Sequence, residues 1–181
     1  MPDAIKTAVK LLSNNLEKKI CYGDWVTIDE HDSIIDKFFA FDFNKYHFIY
    51  EGFHLNSQAM FWRREVLKNF SGFDINLNKT MDYQMILEFS LKNKETNFIR
   101  VAKYLAAFRR YPGQKTSGYD EDVHNEHLYI SKKYALDDRF SQIGKLKRLY
   151  FRFRRAKWYF KRGGFKELFK RLIIMRENIG K

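Results

Sequence analysis

One cysteine, Cys21, is all the sulfur chemistry this chain offers, so no disulfide framework and no cysteine-based metal cluster can be drawn from it. Cys21 lies inside a strand-like run and reads as a small buried hydrophobe rather than a nucleophile, which fits a reducing compartment. No stretch approaches the roughly 20 apolar residues that span a bilayer. Residues 2–5, Pro-Asp-Ala-Ile, are not the basic-then-apolar start of a signal peptide, so a cytoplasmic or peripheral location is expected. Acidic residues are scarce in one region only. Residues 141–181 carry 14 Lys and Arg against 2 Glu, while residues 1–140 carry 20 of each sign, so the whole net charge of +12 sits in the last segment.

What is present fits a folded domain: 181 residues, 45% apolar and 18% aromatic, enough for one real core. The charge boundary divides the chain into an α/β domain over 1–140 and a basic amphipathic helical tail over 141–181. Ile5, Val9, Leu12 and Leu16 recur at helical spacing after Asp3, a candidate cap. Residues 20–28 read as a strand, residues 29–32 as a turn, and residues 38–48 as an edge strand or an aromatic-lined loop. Residues 59–62 form a short apolar strand. A helix begins near Met81 with Met85, Ile86 and Phe89 on one face, residues 98–108 make another strand, and residues 121–134 a helix with Val123, His127, Ile130 and Tyr134 on a stripe. Alternation of this kind is the mark of an α/β layer fold.

The densest chemistry lies in residues 53–89, where Asp82 stands in the first turn of the helix near Met81, inside an apolar and aromatic frame. A helix N-terminus favours an ionised carboxylate, so capping is one reading of Asp82 and catalysis the other. His54 and Gln58 flank the same stretch and are candidates to hydrogen-bond a substrate hydroxyl or phosphate, or to support the loop. His124 and His127 have a metal-chelating spacing, with Asp120, Glu121 and Glu126 nearby. His127 falls on the apolar stripe, which favours a structural role.

Three elements in order, Phe61-Trp62-Arg63-Arg64, Gly72-Phe73-Asp74 and Met81-Asp82-Tyr83, resemble the C-terminal half of a family 2 glycosyltransferase of the GT-A fold. Two flanking pieces resemble it as well: Pro2-Asp3-Ala4-Ile5 with Cys21-Tyr22-Gly23-Asp24-Trp25, and residues 107–116 around Phe108-Arg109-Arg110-Tyr111. The family often has a His after the Phe-Arg pair, where this chain has Tyr111.

The resemblance implies a partial GT-A-like layer fold that lacks its N-terminal nucleotide-binding half. It implies transfer of a sugar from a nucleotide-activated donor to a glycan or lipid-linked acceptor, with Asp82 as general base and Arg109 or Arg110 steadying diphosphate charge. The divalent metal (Mg or Mn) expected of the complete enzyme would have its ligands outside this chain, since no Asp-x-Asp precedes Pro2, and metal binding is not carried onto Asp24.

The tail holds the second readable function. Leu146, Leu149, Tyr150, Phe153, Ala156 and Phe160 form an apolar stripe among Lys145, Lys147, Arg148, Arg152, Arg154 and Arg155, until Gly163-Gly164 ends the helix. Phe165, Leu168, Phe169, Leu172 and Ile173 repeat the pattern opposite Lys166, Lys170 and Arg171. An anionic membrane surface, at the inner face of the cell membrane, suits such helices, and packing of the stripes on the domain is the equal alternative. Nucleic acid is the weaker rival, with no recognised fold motif to support it. A noncatalytic adaptor or remnant that binds membranes or a partner through this tail is the alternative to an enzyme.

Overall fold

The computed structural model describes residues 1–52, 55–115 and 121–179. In chain order the regular elements are α1 (Ala4–Ser13), β1 (Ile20–Ile28), β2 (Ile34–Phe38), α2 (Lys45–Glu51), β3 (Met60–Trp62), α3 (Met81–Lys92), β4 (Phe98–Arg109), α4 (Glu121–Lys133) and α5 (Gln142–Ile179). They make a mixed α/β fold, about half helical, around a four-stranded mixed sheet.

The sheet is organised by β1. One edge pairs in parallel with β4 along its length, and the other is shared by two short antiparallel strands, β3 opposite Ile20, Cys21 and Tyr22, and β2 from Trp25 to Ile28. A strand paired on both edges and covered on both faces should be apolar throughout, and β1 is buried almost end to end. Ile20 and Tyr22 enter the main core with Phe48 of α2 and Tyr83, Ile86 and Phe89 of α3. Cys21 points into a smaller cluster with Ala8 and Leu12 of α1, where burial pushes its thiol up to about 11.

The register of β1 and β4 shifts at Gly23–Asp24 and again at Asp24–Trp25. A Cβ at Gly23 would lie 2.7 Å from the Lys103 carbonyl oxygen and from Leu105 Cγ, so only glycine lets the strands approach across the irregularity.

Two local expectations change on folding. Helix α1 buries Ala4, Ala8 and Leu12, while Ile5 and Val9 face outward and Leu16 lies beyond its end. Ala4 and Ala8 pack with Leu12 against the sheet, in clusters with Leu105, Ala106 and Cys21. Of residues 38–48, 45–48 turn helical instead, and residues 39–44 take the loop alternative. They lead into α2, capped by Asn44, whose Oδ1 accepts from His47 N at 2.9 Å. The aromatics here belong to packing: Phe38 stacks on Trp25, Phe43 on Phe98, and Phe41 is buried against His47 and Trp158. Helix α3 is buried nearly all round from Tyr83 to Ser90 rather than on one face.

Helix α5 breaks at Gly164, whose φ of 64° and ψ of −159° are not helical, as the glycine pair implied. Its first arm, residues 142–163, docks with Phe151 and Tyr159 buried, and Phe151 stacks on His47 and Tyr50. The stripe read from sequence lies on the other side: Leu146, Leu149, Tyr150 and Phe153 are each more than half exposed. Cations fill the docked side instead. Arg155 meets Glu51 at 2.6 Å, Lys147 meets Asp138 at 2.5 Å, and Arg148 Nε donates to the Tyr50 carbonyl at 3.0 Å.

Candidate active site

The loop before α3, residues 70–80, is held from behind by carboxylates. Glu88, fully buried in α3, accepts from Ser71 N and Oγ at 2.7 Å each and from Tyr134 Oη at 2.9 Å, and Lys92 pairs with it. Asp74 accepts from Tyr129 Oη at 2.8 Å and Lys133 Nζ at 2.6 Å, contacts that hold its carboxyl well below the usual range. Glu126 of α4 reaches across to the helix start. Its carboxylate accepts from Asn78 N at 2.8 Å, Lys79 N at 3.1 Å, Thr80 N at 2.8 Å and Thr80 Oγ1 at 2.7 Å. Successive backbone N–H groups at a helix N-terminus converge on an anion in this way. Burial works to raise the Glu126 pKa, but these bonds outweigh it and the net shift is downward.

Asp82 occupies the turn that this scaffold fixes. It is partly buried; Oδ1 accepts from Tyr83 N at 2.8 Å, and Oδ2 faces Ser57 Oγ at 3.4 Å, a long contact. Burial raises its pKa, with the Tyr83 N–H and the Ser57 hydroxyl only partly opposing. The N-cap residue itself is Thr80, which makes no side-chain cap bond to the helix. Glu126 thus holds the loop up to the N-cap, the Tyr83 N–H in the first turn is met by Asp82 itself, and Asp82 keeps Oδ2 weakly held and a proton affinity above that of an ordinary aspartate. A group so placed is suited to accept a proton.

Ser57 and Gln58 lie in a 3-10 turn over residues 57–59, led by Asn56, whose Oδ1 accepts from Gln58 N at 2.9 Å. Ala59 anchors the turn against Leu105 and Ala106 of β4. Gln58 follows Ser57 in this turn and is exposed, and Ser57 is the residue of the turn that faces Asp82. His54 lies outside the described residues.

Arg109 ends β4 and is engaged with the β1–β2 turn. It donates to the Asp29 carbonyl at 2.8 Å and pairs with Asp32 at 2.5 Å, in a turn where Asp32 adopts a φ of 66°. Arg110 donates its backbone N–H to the Ile28 carbonyl at 2.8 Å and exposes its side chain.

Three contributions were not legible as such. Ser57 carries no motif signal. Glu126 appeared only as a neighbour of the histidine pair. Asp24, in the middle of β1, is buried, accepts from Ala40 N at 2.9 Å and lies 3.7 Å from Arg162 of α5. Burial raises its pKa, with Ala40 and Arg162 opposing.

His127 is held neutral by burial and by Arg139, whose Nη1 lies 3.3 Å from Nδ1, and its pKa falls to about 3. The Tyr83 ring packs edge-on to it and His124 packs against Phe140; Asp120 is outside the described residues. Among the described residues no group of three or more His, Cys, Asp and Glu is placed to hold a metal ion. Compared with known proteins, the chain matches no family model and none of the curated proteins.

Proposed function

We propose that this chain is the acceptor-side half of a glycosyltransferase resembling family 2 and the GT-A fold. The observation that carries the reading is Asp82: a partly buried carboxylate of raised pKa in the first turn of α3, with Oδ2 held only by a long Ser57 contact, which by resemblance corresponds to the family's helix-opening acid. Asp82 takes the proton from an acceptor hydroxyl as that oxygen bonds to the anomeric carbon of a nucleotide sugar. The bond from that carbon to the diphosphate breaks, and the nucleoside diphosphate leaves with the electron pair. Gln58, exposed next to Ser57, is the candidate to hydrogen-bond the acceptor hydroxyl. Arg110, with an exposed side chain, is the better placed of the arginine pair to meet diphosphate charge, because Arg109 is bound to the turn. The divalent metal of a complete enzyme would neutralise the diphosphate from ligands outside this chain.

The test is a transfer assay on the chain combined with a donor-binding half, with lipid-linked and free glycan acceptors. Asp82→Asn is expected to lower turnover by about 100-fold or more at unchanged fold. Turnover within a factor of a few of the parent removes Asp82 from the mechanism. A second reading, a noncatalytic adaptor, is favoured by the exposed apolar side of α5 and requires that nucleotide sugars have no affinity for the isolated chain.

A further inference from the structure

The first arm of α5 sorts its residues in an unusual way. Toward the domain it turns Arg148, Arg155 and Arg162, which meet the Tyr50 carbonyl, Glu51 and Asp24. Toward solvent it turns Ile143, Leu146, Leu149, Tyr150, Phe153 and Phe160, from 41% to 69% exposed. Positions 143, 146, 150 and 153 follow helical periodicity, so these side chains form one row, which Lys157 separates from Phe160. Beyond the break at Gly164, Phe165 and Phe169 are exposed in turn.

A docked amphipathic helix normally places its aliphatic side on the domain. Here, with the docked side set by ion pairs and by Phe151 and Tyr159, the outward row is left over for something else. A contiguous exposed apolar row rimmed by polar residues marks an interaction surface.

The charges beside the row say what covers it. Lys145, Arg152, Arg154, Lys157 and Lys161 are exposed, and from Gln142 to Lys166 the sequence has no Asp or Glu. Among the described residues Lys145, Arg152, Lys157 and Lys161 pair with no carboxylate. A second copy of this chain would bring an equally cationic face against the first, which like-charge repulsion disfavours. A nucleic acid would satisfy the cations and leave Ile143, Leu146 and Leu149 without a stacking partner. An anionic bilayer meets both demands, taking the apolar row below the headgroups and the cations among them. We infer that the outward side of α5 is a docking surface for anionic lipid membranes, on which the chain lies with its sheet away from the bilayer. The inference does not rest on glycosyl transfer.

The experiment is sedimentation of the full chain with vesicles of phosphatidylcholine alone and of phosphatidylcholine mixed with phosphatidylglycerol, at low and high salt. The chain is expected to pellet with the mixed vesicles and to be released by salt. Leu146→Ser with Phe153→Ser should weaken binding by about tenfold or more, without moving the urea midpoint, since neither side chain is packed. Lys145→Gln with Arg152→Gln should weaken it by roughly fivefold per charge. Equal recovery with both vesicle types overturns the proposal. So does vesicle binding insensitive to the serine pair, which would mean charge attraction alone. Self-association abolished by that pair, seen by sedimentation velocity without lipid, would assign the row to a second copy instead.

Discussion

Replacing Glu126 by Gln tests the scaffold on which Asp82 depends. Four donors converge on that carboxylate: the N–H groups of residues 78, 79 and 80 and the Thr80 hydroxyl. Water can replace the partner of Asn78, which is exposed, and in part that of Lys79. Thr80 is 5% exposed, so its two donors have no such recourse. A buried donor left unmade costs about 1–3 kcal/mol, and the amide NH2 of Gln adds a donor facing donors. The sum expected is about 2–3 kcal/mol, dominated by Thr80. With an m-value of about 2 kcal/mol/M this lowers the urea midpoint by roughly 1 M at unchanged m. The measurement is urea unfolding followed by tryptophan fluorescence at neutral pH. A change under about 0.5 kcal/mol would mean that the loop leading into α3 is held by something other than this carboxylate.

Four further outcomes follow from the same contacts. Asp82→Asn should leave the neutral-pH urea midpoint equal or higher: a raised carboxylate pKa means that stability falls as pH rises through it, and the amide removes that charge. Gly23→Ala should cost about 2 kcal/mol or more in the same assay, because the new Cβ meets the backbone oxygen of Lys103. Arg155→Ala leaves Glu51 buried without its guanidinium and should cost about 2–4 kcal/mol, with a shift in Trp158 emission as α5 loosens. His127 has a folded pKa of about 3 against 6.5 when unfolded, so its contribution is complete above pH 6.5 and is lost as pH falls toward 3. His127→Gln should flatten the decline in urea midpoint between pH 6.5 and 4, and an unchanged slope there would assign the acid sensitivity to other groups.

Strands β1 and β4, helices α3 and α4, and the break at Gly164 were legible because each is marked locally, by a run of apolar residues, a loop signal or a glycine pair. The position of Asp82 in the first turn of α3 was legible for the same reason. What sequence pattern did not reveal was which side of a helix faces inward when packing is decided by partners far along the chain. Alanines 4 and 8 carry α1 onto the sheet although Ile5 and Val9 are the stronger hydrophobes. In α5 the inward side is set by Glu51, Asp138 and Asp24, so the side with the clearer apolar periodicity is the one left outside. Residues 39–44 were ambiguous because aromatic content does not distinguish a strand from packing side chains. The Glu126 contacts span 46 residues to Thr80 and leave no periodic trace.

Two carboxylates near one helix start, Glu126 and Asp82, titrate in opposite directions. Both Glu126 and Asp82 lie where backbone N–H groups and the helix dipole favour negative charge. If capping were the purpose of each, both would titrate low. Glu126 does, because four donors outweigh its burial; Asp82 does not, because one adjacent N–H and a long serine contact fail to offset its own. The chain thus anchors the loop and N-cap before α3 with an anion from α4 and keeps a second carboxylate in the first turn in a less favourable state. That second group destabilises the fold when ionised, and no packing role in α3 requires it to be an acid. Environments that push two neighbouring carboxyl groups apart are how acid and base roles are separated at catalytic centres. The matched pair of variants therefore carries the argument: Glu126→Gln should lose stability while Asp82→Asn keeps or gains it, and equal losses in both would return Asp82 to the status of a second cap.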